Sequence, residues 1–282
     1  MDMSSFDYWP APAKLNLMLR IVGRRTDGYH LLQTVFQFLD IGDRIGFKVR
    51  QDDRICRVNA LPGVTEECDL AIRAAKLLQM HCGTTLGVEI HLEKHLPMGA
   101  GLGGGSSDAA TTLTVLNRLW DARCSMDQLA ELGLKLGADV PVFIRRRSAW
   151  GEGIGEKLEP LELPCPWYLI LVPPCHVSTA GIFSDPDLTR NSPRIRIRDF
   201  LAGSVQNDCL SVVCRRYPPV QEAMQWLGRY SSARLTGTGA AVFASFEDEV
   251  RLRQVYKEVP ARYRSFIARG LNRSPLDDDS AS

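Results

Sequence analysis

The chain has 282 residues, a formal net charge of +1, 45% hydrophobic residues and 24% charged residues. That length supports one large or two modest domains with their own cores, and the near-zero charge excludes the basic footprint of a nucleic-acid or anionic-membrane binder. Eight cysteines, at 56, 68, 82, 124, 165, 175, 209 and 214, form no CxxC pair and no metal-ligand spacing, so they read as reduced thiols.

The first residues include Asp2 and Asp7 without an apolar stretch typical of a signal peptide, and no long apolar run follows. The expectation is a cytoplasmic protein. "AKLNLMLRI" alternates, with Ala13, Leu15, Leu17, Leu19 and Ile21 on one face and Lys14, Asn16, Met18 and Arg20 on the other. This predicts a half-buried strand. "DGYH" (27–30) is a turn, and "LLQTVFQFLDIGDRIGFKV" predicts two further strands broken at Gly42-Asp43. "DLAIRAAKLLQMHCG" has helical spacing and a glycine stop, and "LGVEIHLEKHLP" alternates as a strand ending by Pro97. A glycine-rich loop then opens a helix over Ser106–Trp120, and "SMDQLAELGLKLG" carries a capping box of Ser125 with Gln128 before Gly137. The second half supplies strands "WYLILV" and "AAVFASF" and helices near 206–216, 219–229 and 247–258. Strands and helices mix without strict alternation, which predicts an α+β fold of two domains, 1–153 and 154–282. Only the tail "SPLDDDSAS" reads as disordered.

The loop Pro97-Met98-Gly99-Ala100-Gly101-Leu102-Gly103-Gly104-Gly105-Ser106-Ser107 is the most informative stretch. Strand, glycines, serines and helix in that order would aim backbone amides and a helix N-terminus at one spot, an anion site suited to phosphates. A tight packing turn is the plainer alternative. The Walker pattern fails because Gly105, not lysine, follows Gly104. Gly99-x-Gly101-x-x-Gly104 fits a dinucleotide fingerprint formally, but helix follows helix where that fold needs a second strand ending in an acid. The protein-kinase set is missing too.

"PMGAGLGGGSSDAA" resembles the ATP-binding motif of the GHMP kinases, the superfamily of galactokinase, homoserine kinase and mevalonate kinase. "PAPAKLNLMLRI" is similar to its N-terminal motif and "LTGTGAAVFASF" to its C-terminal glycine motif. "GRRTDGYHLLQTVFQFLDIGDRI" and "LGADVPVFI" look like the branch that phosphorylates a cytidylylated polyol. The likeness runs from about Trp9 to Pro275. It implies a two-domain fold with the site in the cleft between domains, ATP as co-substrate with Mg²⁺, and a small-molecule acceptor, with no nucleic acid, membrane or obligate protein partner. Branches acting on homoserine or mevalonate are the alternative; a binding protein that kept the fold without catalysis is another.

By the same resemblance, Asp139 is the catalytic base and Lys14 the lysine beside it, which would keep the Asp ionised and help lower the pKa of the attacking hydroxyl. Taken singly, a turn-capping Asp and a strand Lys reaching solvent fit as well. Asn16 would bond the polyol, Tyr29 would stack on cytosine with His30 at its hydrogen-bonding edge, and Phe183 would cover the other face unless it is core. Thr238 and Gly239, after Gly237, would close the far side. The glycine loop, Lys94 and Asp69 fall to ATP. Relatives commonly carry Asn where Asp69 stands. Asp69 would accept from adenine and repel guanine, or serve only as a helix cap. Ser106 and Ser107 would touch phosphate or Mg²⁺, or cap the helix, and Asp108 fits a helix dipole. His91 and His95 lack HExxH order and read as non-metal.

Overall fold

The computed structural model describes residues 6–277. Its frame is an antiparallel hairpin of two long strands, β1 (Asp7–Arg24) and β2 (His30–Arg50), joined by the Asp27–His30 turn. Gly28 takes φ +93, where a side chain would be strained, and Asp27 accepts from the Tyr29 amide. The break expected at Gly42-Asp43 is absent: β2 runs through. Pairing passes from Pro12–Gly42 to Lys14–Phe38, so residues 39–41 bulge opposite Ala13. A Cβ on Gly42 would lie 2.4 Å from the Ala11 carbonyl oxygen, so glycine marks a close crossing rather than an end.

Further along lie β3 (Ile55–Arg57), helix α1 (Leu70–Cys82), β4 (Gly87–Glu93), α2 (Gly104–Leu119), α3 (Met126–Leu136) and α4 (Val140–Arg145). α1 is capped by Asp69 and stopped by Gly83 in the left-handed region, and α3 has the predicted capping box. α2 begins two residues before the expected Ser106, because Gly103 at φ +75 is its N-cap; Ser106 and Ser107 are therefore inside the helix and cap nothing. Then come β5 (Ala149–Gly153), β6 (Lys157–Pro160), β7 (Trp167–Val172), α5 (Thr179–Phe183), α6 (Ile197–Leu201), α7 (Leu210–Arg216), α8 (Pro218–Leu227), β8 (Arg234–Leu235), β9 (Val242–Phe246), α9 (Glu249–Tyr256) and β10 (Arg264–Leu271). The expected helix near 206–216 thus starts at 210. Of the tail, Pro275–Asp277 form a 3₁₀ turn with Leu276 buried, which corrects the disorder expected there; the rest of it, 278–282, lies outside the described residues, as does Asp2.

The strands form one sheet in the order β3-β4-β2-β10-β7-β9-β8, with β1 and β5 also on β2 and β6 on β5; among these described strand pairs only β3–β4 is parallel. Two ladder pairs, Gly270–Leu39 and Leu271–Phe38, join β10 to β2, whereas six join it to β7. One core packs Ile72, Leu78, Leu113, Leu116 and Phe143 onto Phe38, Ile45 and Phe47; a second packs Val213, Val220, Leu227 and Leu252 onto Leu169, Leu171 and Val242. Each such fully buried side chain contributes about 1.5–3 kcal/mol.

The half-buried expectation for β1 fails, since residues 11–21 are all buried. Its polar face is covered by residues from the second half. Arg20 donates to the Pro193 carbonyl and Gln206, the Asn16 amide donates to Thr236, and Ile21 donates to Asp208. All eight cysteines are unpaired, and no described helix is long and apolar enough to cross a membrane.

Candidate active site

The glycine loop turns on alternate left-handed residues, Gly99 at φ +67, Gly101 at +81 and Gly103 at +75. Its carbonyls face the protein: Ala100 accepts from the Ala241 amide, Gly101 from Lys14 Nζ and Thr236, and Leu102 from the Lys14 amide. Among the described residues no amide from Gly99 to Ser106 donates to a protein acceptor. With the carbonyls turned inward and the helix start unsatisfied, these amides are left for an anion.

They line a cavity of about 400 Å³ whose wall takes in every predicted loop residue from Pro97 to Ser106, together with Asp69 and Lys94. Ser107 is not on that wall; it is fully buried, and its hydroxyl has no partner. Lys94 reaches Asp43 at 2.5 Å and Asp108 at 2.6 Å, and Asp43 also accepts the His95 and Leu96 amides, which ties the strand end beneath the loop to the hairpin. Burial works against the Lys94 ammonium, but Asp108 and Asp43 outweigh it and raise its pKa. Burial pushes Asp108 up to about 7, with Lys94 opposing and Asp43 adding to the rise. Two carboxylates thus share one ammonium, and Asp108 keeps one oxygen, Oδ1, buried without a partner. Asp69 is the α1 cap and pairs with Arg57 at 2.5 Å, a partner no sequence signal announces.

A second cavity of about 630 Å³ opens on the other side, lined by Asn16, Tyr29, His30, Phe183, Gly237 and Thr238, all expected there. Gly239 is not on its wall; a Cβ there would face Leu235, Val213 and Val177. Tyr29 is 60% exposed at the tip of the turn, while the Phe183 ring stacks on His30 with centroids 5.0 Å apart. Burial, then the Arg190 and Arg24 cations, hold His30 below its ordinary pKa, which favours the neutral ring.

Four residues line both cavities: Lys14, Gly101, Asp139 and Thr179. Lys14 Nζ lies 3.1 Å from Asp139 Oδ2 and donates to Asn16 Oδ1 and the Gly101 carbonyl, so its three protons are spoken for. Asn16 in turn donates to Thr34. The lysine is 3% exposed and the aspartate 35%, so ligands meet the carboxylate first. Asp139 precedes α4 with Pro141 just inside it, and its Oδ1 has no hydrogen bond among the described residues. Thr179, whose hydroxyl pairs with that of Thr238 at 2.9 Å, was missed from sequence because "VSTAGIF" carries no motif. His91 pairs with Tyr8, away from both cavities. A phosphate donor on one side and an alcohol on the other would meet at a positioned carboxylate, the arrangement phosphoryl transfer requires.

Comparison with known proteins shows the family. Models of the GHMP kinase N-terminal and C-terminal domains match residues 69–147 and 194–265. A protein of Thiobacillus denitrificans named 4-diphosphocytidyl-2-C-methyl-D-erythritol kinase is 53% identical over 96% of this chain and 97% of its own. One of the same name from Ectopseudomonas mendocina is 56% identical over 95% and 92%. A solved 4-(cytidine 5'-diphospho)-2C-methyl-D-erythritol kinase superposes with a TM-score of 0.81 at 32% identity, covering 94% of this chain and 99% of that one.

Proposed function

The chain belongs to the GHMP kinases, and from that premise we propose that it transfers the γ-phosphoryl group of ATP to the 2-hydroxyl of 4-diphosphocytidyl-2-C-methyl-D-erythritol. The products are ADP and the 2-phosphate, in the non-mevalonate route to isoprenoid precursors. The observation that carries this reading is the meeting of two cavities, one lined by free amides and one by rings, at Lys14 and Asp139.

ATP lies with its phosphates on the Gly99–Ser106 amides, which supply positive potential without side-chain bulk. The acceptor enters the larger cavity, its cytosine against Tyr29 and Phe183 with His30 at the edge. Its hydroxyl reaches Asp139 Oδ1, which takes the proton as the oxygen attacks phosphorus. Lys14, saturated by three acceptors, holds Asp139 in place and supplies a fixed positive charge at the point where negative charge passes between the cavities. The donor set fits Mg²⁺, which asks for one or two protein oxygens beside the phosphates: the unpartnered Asp108 Oδ1 and the Ser106 hydroxyl would hold it. Bound there, the ion would neutralise phosphate charge. We divide the domains at 153/154, place the protein in the cytoplasm and assign it no obligate protein partner.

Incubation with Mg-ATP and a panel of cytidylylated polyols, plain polyols, homoserine and mevalonate tests the proposal. One added phosphoryl group on the cytidylylated polyol alone is the expected result by mass. Product from homoserine or mevalonate instead would overturn the substrate, and no turnover with any alcohol would favour a binding protein.

A further inference from the structure

Arg190 makes four contacts from a single guanidinium. Nε donates to His30 Nε2 at 3.2 Å, Nη1 to the Leu188 carbonyl, and Nη2 to the Phe183 and Asp185 carbonyls. The arginine has no acceptor atoms, so His30 Nε2 must be the bare, accepting nitrogen and the ring proton must sit on Nδ1. No protein group among the described residues accepts from Nδ1, and the ring lines the acceptor cavity. A single N–H donor of fixed identity is therefore left for a ligand, beside a ring whose own backbone is held by the same arginine.

We infer that Arg190 is a positioning residue that locks His30 in its Nδ1–H form and so sets which edge of the acceptor's base the site reads. The inference rests on the cytidylylated acceptor proposed above. A donor suits an unprotonated ring nitrogen: cytosine presents one at N3, whereas uracil carries a hydrogen there and would oppose the His30 N–H. His30 touches the base; Arg190 acts through it and through the Phe183 backbone. Without Arg190, the imidazole is free to take the other tautomer, whose bare Nδ1 no longer repels the uracil N3–H.

Long-range ¹⁵N–¹H spectra of the histidine rings, with His30 assigned by its loss in His30→Gln, read the tautomer directly. Wild type should show Nδ1 protonated and Nε2 bare; Arg190→Met should show the Nε2–H form or a mixture. In parallel, calorimetry with cytidine diphosphate and uridine diphosphate should give Arg190→Met a preference for cytidine diphosphate about tenfold smaller, the scale of one hydrogen bond against a clash. ATP affinity should stay near wild type even where the lost carbonyl contacts lower the melting temperature, which separates the effect from unfolding, and Arg190→Lys, able to donate to Nε2, should recover part of the preference. A wild-type Nε2–H ring, or an unchanged preference in Arg190→Met, overturns the inference and leaves the acceptor assignment standing. If wild type binds neither diphosphate, the acceptor assignment itself fails and the inference with it.

Discussion

The two cavities are built from different materials. The side proposed for the nucleotide is mainly backbone: alternate left-handed glycines, carbonyls turned inward and amides without protein acceptors. The side proposed for the acceptor is mainly side chains drawn from distant segments: Asn16, Tyr29, His30, Phe183 and Thr238. A phosphate presents a uniform shell of oxygens that amides can meet, whereas a base and a polyol demand particular rings and particular donors. The backbone half should therefore respond sharply to an atom added where the chain is left-handed, and the side-chain half in graded steps.

Gly103→Val is the harshest way to probe that contrast. A Cβ there would fall 2.8 Å from Phe143 and 2.9 Å from Lys14, at φ +75, so the variant should lose ATP binding altogether in titration while melting as a folded protein. Gly104 has no positive φ, and its Cβ would meet the Lys94 ammonium at 3.1 Å and the Asp43 carboxylate at 3.2 Å, so alanine should cost less there than at Gly103. Equal losses from Gly103→Ala and Gly104→Ala would mean that loop conformation is not what matters.

Asp139→Asn strikes the seam between the halves. Turnover should fall at least about 10²-fold, as for a lost general base, with binding of both ligands near wild type. Wild-type kcat in this variant would remove Asp139 from the chemistry.

On the side-chain half, Tyr29→Ala should weaken cytidine diphosphate by about 1–3 kcal/mol, the worth of one stacked base, and leave ATP untouched. Calorimetry on both ligands checks it, and a loss of ATP affinity would dissolve the division. His30 adds a pH dependence. Its folded pKa lies below the ordinary 6.5, so the neutral ring predominates at pH 6.5 and above, and the protonated ring takes over only at lower pH. The acceptor KM should change little between pH 8 and 7.5 and rise most steeply on the acid side of 6.5; a rise already near pH 7.5 would contradict a neutral His30.

The smallest expected effect is at Asp69. Both of its oxygens already bond protein, to the Ala71 amide and to Arg57, and the Arg57 cation offsets its charge. The structure thus gives the capping role and weakens the base-selecting one. Asp69→Asn should change the ATP/GTP ratio of kcat/KM by no more than about 1 kcal/mol, the cost of one poor hydrogen bond. A larger swing would make the nucleotide side a side-chain reader after all.

The same contrast governs what was legible in the sequence. Left-handed backbone forces glycine, so the loop announced itself residue by residue, and caps such as Ser125 and Asp69 did likewise. Lys14 and Asn16 stood out by alternation, but alternation also implied an exposed face, because nothing local says that residues 193–208 will cover it. Gly42 was misread since a glycine that admits a crossing chain and one that ends a strand look alike in sequence. Arg57, Thr179 and Arg190 bond partners 12, 59 and 160 residues away, and long-range pairs leave no local pattern.

The strand β10 carries a consequence for biosynthesis. It is the piece that sits between β7 and the middle of β2, yet it comes nearly a hundred residues after β7 in the chain. A growing polypeptide on the ribosome can close the hairpin and stack α1 and α2 on it early. The β7 edge, with its run of Leu169, Ile170 and Leu171, must wait unpaired until residues 264–271 emerge. An open apolar edge is the part of a nascent chain most prone to pair with a neighbour. Ribosome stalling or truncation just short of Arg264 should therefore yield aggregation rather than a soluble, less active kinase, and chaperone demand should peak in that last stretch of synthesis.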